Sequence, residues 1–131
     1  MKKQIYILTG LILVLLSTGF TTVHSNIAVE SPQTEILGFW VLEDDPSTKI
    51  EFLSNGQVKN YQNNVLESID TYAITNLCDG HTAPNGQNYL KITFPEGDSF
   101  CYLINGINAN NSGILSLLTM TQGKVVVYVR P

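Results

Sequence analysis

From Ile36 onward, apolar and polar residues alternate with a period of two, the pattern of strands whose successive side chains point to opposite faces. Strands are predicted over 36–43, 49–53, 57–62, 65–75, 89–94, 99–104, 114–120 and 124–130. No stretch has the spacing of an amphipathic helix. The connections carry turn chemistry: Asn55-Gly56, Asn63-Asn64, Pro95-Glu96-Gly97-Asp98 and Gln122-Gly123 are tight turns, and Asp44-Asp45-Pro46-Ser47 is a wider one. Only 76–88, rich in Asp, Gly, His, Pro and Asn, forms a long loop.

About eight short strands joined mainly by hairpins make an antiparallel up-and-down meander. Left open, such a sheet would expose two edges of unpaired backbone groups. Closure into a barrel removes both, and about eight strands enclose an interior that side chains fill or that holds one small ligand. The expected fold is therefore an all-β barrel, with a β-sandwich as the alternative. Ile50 and Phe52 share a face, as do Leu90, Ile92 and Phe94, and Phe100, Tyr102 and Ile104. Alternation groups these residues without saying which face is inward. The last two strands are apolar on both faces, so one of those faces needs a cover.

Gly38-Phe39-Trp40 holds the only tryptophan, on the first strand, and Arg130, the only arginine, stands on the last. First and last strands are neighbours in a closed barrel. A guanidinium over the indole face would mark that closure, with Gly38 leaving room for a close backbone bend.

The N-terminal segment 1–25 reads as a secretory signal: Lys2 and Lys3, a short apolar run, then Val23-His24-Ser25 as a cleavage site. An uncleaved anchor is the alternative. Residues 26–34 are polar and aperiodic, a flexible leader to a domain over 35–131. Removing Lys2 and Lys3 from the seven basic residues leaves five against eleven acidic ones, a formal net of −6. That balance argues against a nucleic acid or an anionic membrane surface as partner, and no stable membrane span is expected after cleavage. An exported location, periplasmic or extracellular, makes Cys78 and Cys101, the only cysteines, a disulfide by default. The bridge would tie the long loop to the barrel.

Little in the sequence suggests catalysis. Past the signal His81 is the only histidine, and no nucleophile elbow, histidine pair or phosphate loop is present. Cys78-x-x-His81 is half a zinc signature without a second pair of ligands. Glu43-Asp44-Asp45 lacks the alternate-position ligands of a calcium loop and reads as a charged turn. No metal site, no cofactor and no enzymatic activity are expected.

The chain resembles the lipocalin-like domains of small exported bacterial proteins, of the kind found in Bacteroidetes-type genomes. The likeness runs from Ile36 to Arg130. It rests on Leu37-Gly38-Phe39-Trp40, Ile50-Glu51-Phe52 with Asn55-Gly56, and Asp70-Thr71-Tyr72. Further on come Tyr89-Leu90-Lys91-Ile92, the run from Cys101 to Ile107, and Leu115-Ser116-Leu117. The domain is shorter than a typical lipocalin and has no evident C-terminal helix. The resemblance implies an antiparallel barrel closed by Gly38, Trp40 and Arg130, and a non-catalytic module for a small hydrophobic ligand. Candidates to line its cavity are Phe52, Tyr72, Tyr89, Ile92, Phe94, Tyr102 and Leu117. The alternative function is a structural or inhibitory interaction domain with a filled core. The sequence names neither ligand nor protein partner.

Overall fold

The structure is a computed structural model that describes residues 29–131. The signal segment expected over 1–25, and residues 26–28 of the leader, lie outside the described residues. The regular elements are the helical turn α1 (Pro32–Glu35) and ten strands. These are β1 (Gly38–Leu42), β2 (Thr48–Phe52), β3 (Gln57–Gln62), β4 (Val65–Thr75), β5 (Leu77–Cys78), β6 (His81–Thr82), β7 (Tyr89–Thr93), β8 (Ser99–Ile107), β9 (Ile114–Thr119) and β10 (Val125–Val129).

Eight of the strands close into one antiparallel barrel in the order β1-β10-β9-β8-β7-β4-β3-β2. Closure rests on β1, which pairs with β2 on one side and with β10 on the other, Val41 opposite Val129 and Leu42 opposite Tyr128. One continuous ring of pairing excludes the sandwich. Hairpin chemistry sets the register: Asn63 and Asn64 both sit at positive φ, and so does Gly56, where a side chain would be strained.

Two segments are more ordered than their composition predicts. Within the leader assigned to 26–34, Pro32 begins a helical turn, and proline at a first helical position sacrifices no hydrogen bond. Ile36, which caps that turn, is fully buried. The long loop folds into the small β5–β6 hairpin, followed by a 3₁₀ turn at Pro84–Gly86. Strand β8 also runs on to Ile107, past the predicted end at 104, through a register irregularity at Ile104/Gly106.

Two cores result. The main one fills the barrel around Ile36, Trp40, Phe52, Val58, Leu90, Leu115 and Leu117. The second lies outside the barrel, where Cys78, Ala83, Tyr89, Cys101 and Leu103 pack together with Leu118 against them. The disulfided loop is thus what covers part of the outer apolar face of β9. The rest of that face and of the adjoining β10 stays open, with Ile114 and Val125 exposed.

Candidate functional site

The two barrel ends differ in chemistry. At the end where β1 begins, Trp40 is wholly buried and its indole N–H donates to the Ile36 carbonyl at 2.7 Å. The Arg130 guanidinium lies 4.3 Å from the ring centroid. It also donates to the carbonyls of Glu35 at 2.7 Å and Leu37 at 3.3 Å, tying down the end of α1. Gly38 has a φ of +101°, and a Cβ there would stand 3.6 Å from Arg130 Nη1. Gly38, Trp40 and Arg130 therefore come together as a plug, and this end is shut.

Towards the opposite end the barrel keeps a cavity of about 110 Å³, walled by Ile50, Phe52, Val58, Asn60, Asp70, Leu90, Ile92, Phe94, Phe100, Tyr102, Leu117 and Tyr128. Alternation places these residues: each of β2, β3, β4, β7, β8, β9 and β10 turns one face inward, and the cavity takes the inward residues that the plug does not fill. Five of the seven candidates line it, namely Phe52, Ile92, Phe94, Tyr102 and Leu117.

The other two do not. Tyr72 points inward but belongs to the core, its ring edge-on to Phe52 at 4.9 Å and its hydroxyl donating to the Leu53 carbonyl at 2.9 Å. Tyr89 corrects the expectation outright. It stands one residue out of phase with Leu90 and Ile92, so it faces outward and is buried beneath the disulfided loop. Its burial comes from an outer cover that strand periodicity does not reveal.

Seven wall residues were not among the candidates: Ile50, Val58, Leu90, Asn60, Asp70, Phe100 and Tyr128. Phe100 was within reach, since it shares a face with Tyr102. Asp70 stands two residues from Tyr72 on β4, so its face is equally legible, but an aspartate in a strand reads as solvent-facing. In the structure it is only 6% exposed. Asn60 Nδ2 donates to its Oδ2 at 2.8 Å, and the Ser68 hydroxyl donates to the same oxygen at 3.4 Å.

Tyr102 and Tyr128 supply partly buried hydroxyls. Burial raises the Tyr102 phenol above its ordinary range. The Tyr128 phenol is pushed up to about 12, mainly by burial and further by the neighbouring Tyr102. Both stay protonated near neutrality and can donate as well as accept.

The cavity borders a surface recess. β4 pairs with β7 only from Thr71 to Thr75, so its residues 65–70 have no partner on that side. A surface recess of about 430 Å³ occupies the gap between β4 and the β7–β8 turn, and Asp70 and Phe94 line both recess and cavity. A third hollow, about 360 Å³, lies at the plugged end between exposed Val29 and Glu30 and the loops around Asn88 and Asn108. It is larger than the cavity. The barrel interior is still the better candidate, because strand side chains converge on it and it contains a buried carboxylate.

The chemistry elsewhere is structural. Cys78 and Cys101 are bonded, with Cα atoms 6.4 Å apart and a sequence separation of 23. Asp79 lies beside both sulfurs, but sulfurs joined to each other are not thiolate ligands for a metal. His81 is exposed on the small hairpin. In the turn after β1, the Asp45 carboxylate accepts from the Ser47 and Thr48 hydroxyls and the Ser47 amide. Those donors hold its pKa below the ordinary value, as in a polar turn. Among the described residues, no helix is long and apolar enough to cross a membrane.

No protein-family model, curated protein or solved structure matches the chain.

Proposed function

We propose that the chain is an exported, lipocalin-like binding module that holds a small, mainly apolar ligand inside the barrel, without catalysis. One observation carries this reading: the barrel is plugged at one end by Trp40 and Arg130, yet keeps a cavity at the other whose walls mix aromatic rings with a few convergent polar groups. Ligand sites have that mixture, the rings supplying affinity and the polar groups orientation. At about 110 Å³ the cavity is well below the roughly 300–1,000 Å³ of drug-sized pockets, so the ligand has few heavy atoms or inserts only one end. The disulfide accords with an oxidising compartment.

The test is native mass spectrometry of protein purified from its own source. A reproducible small-molecule adduct, lost when Phe100 or Leu117 is replaced by a residue that alters the cavity, supports the reading. Bare protein under gentle conditions, together with no response to small apolar probes, would overturn it.

A second reading, a structural or inhibitory interaction domain, is favoured by the outer apolar face, where Phe39, Ile114 and Val125 are exposed on neighbouring strands. On that reading, polar substitutions at these positions would abolish activity while cavity substitutions would not.

A further inference from the structure

We infer that the ligand of the barrel cavity is a small protonated amine with an apolar body, and that Asp70 is its counter-ion; this rests on the binding-module reading above. A carboxylate removed from water is costly unless a cation or several hydrogen bonds compensate it. Asp70 is 6% exposed, and its donors are neutral: an amide from Asn60 and a hydroxyl from Ser68. Both act on Oδ2; among the described residues no donor reaches Oδ1, which is open to solvent rather than buried and unpaired. No Lys, Arg or His lines the cavity. The site therefore has an anionic acceptor with spare capacity and no cation of its own.

A second observation is independent of the carboxylate. The same cavity is walled by the rings of Phe94, Phe100, Tyr102 and Tyr128. Ring faces attract cations, and an ammonium gains from rings and carboxylate together, more so where water is scarce. A carboxylate or phosphate ligand would meet Asp70 as a like charge. A purely apolar ligand would leave Oδ1 without a donor after displacing water. A divalent metal ion is a poor fit, since one carboxylate and one amide fall short of the six or more oxygens that calcium takes. An ammonium has three donors, enough for Oδ1 and for a tyrosine hydroxyl of the same cavity wall. The recess shared at Asp70 and Phe94 gives the apolar body a way out if it exceeds the cavity.

The experiment is an amide NMR titration of the disulfide-bonded protein near neutral pH with two probes of similar shape, benzylamine and uncharged benzyl alcohol. Benzylamine should shift cavity resonances around Asn60, Asp70, Phe100 and Tyr102 and bind at least about tenfold more tightly than the alcohol, the scale of a charge-assisted hydrogen bond. Asp70→Asn should abolish that preference, so that the two probes bind the variant about equally. Should the variant fail to fold, intermolecular NOEs from the benzylamine methylene to Asn60 and Asp70 in the parent protein decide placement. Equal binding of the two probes to the parent, or a preference that survives in Asp70→Asn, overturns the amine assignment and leaves the binding module standing. No response to either probe overturns the amine assignment, and together with bare protein in native mass spectrometry it overturns the binding module as well.

Discussion

Arg130 joins the end of the barrel to its beginning through Trp40: its guanidinium stacks 4.3 Å from the indole centroid while donating to the carbonyls of Glu35 and Leu37. One planar, five-donor group thus serves ring and backbone together, which an ammonium cannot do.

Arg130→Ala is expected to cost about 1–3 kcal/mol, through the lost cation–π contact and two carbonyl partners. Arg130→Lys should recover only part of that. Trp40→Ala is the harsher change, about 3–5 kcal/mol for a buried ring, and it also strips the Ile36 carbonyl of its donor. Against a total of roughly 5–15 kcal/mol for a small domain, that threatens folding. Denaturant midpoints of the three variants check the order. An Arg130→Ala midpoint equal to that of the parent would contradict the account of closure.

Thiol labelling of denatured, non-reduced protein should find no free cysteine, because Cys78 and Cys101 are bonded. Paired serine substitutions should lower stability by about 3 kcal/mol, from the loop-closure entropy of a ring this size. The loss should fall unevenly. Amide exchange should rise most over 76–88, whose hairpin is held to the barrel by the outer core around Tyr89 and Leu103.

Tyr128 gives a pH dependence with a definite sign. Its phenol is held near 12 in the folded chain against 10.0 ordinarily, so between these values the folded state binds more protons than the unfolded one. Stability is then fully present below about pH 10 and falls as pH rises towards 12, by about 2–3 kcal/mol in all. Tyr128→Phe should flatten that part of the decline. Urea midpoints measured at intervals from about pH 9 upward, for parent and variant, test this; identical slopes would show that Tyr128 does not supply the dependence.

His81→Ala should leave ligand binding, or any activity found for the domain, within a few-fold of the parent. His81 is exposed on the β5–β6 hairpin and is not among the residues of the cavity wall. A loss of about a hundredfold, the scale of a general acid–base group, would instead favour an enzyme.

Period-two alternation together with Asn-Gly, Asn-Asn and Pro-x-Gly-Asp turns determined the number of barrel strands, the hairpin order and the shared faces, but not the small β5–β6 hairpin. These are local properties: they depend on backbone sterics and on residues only a few positions apart. The expected export signal and a single cysteine pair likewise pointed to the disulfide. Which face is inward is not local. Tyr89 and Leu90 are both almost fully buried, one beneath the outer loop and one inside the barrel, and hydrophobicity alone cannot separate them. Asp70 shows the converse. A carboxylate in a strand reads as solvent-facing until closure turns its face inward, where Asn60 and Ser68 supply donors from β3 and β4. Only the tertiary structure brings seven strands around one space, because closure depends on pairing between β1 and β10 across nearly the whole chain. Side-chain volume from all those strands then decides which part of the interior is filled and which stays open.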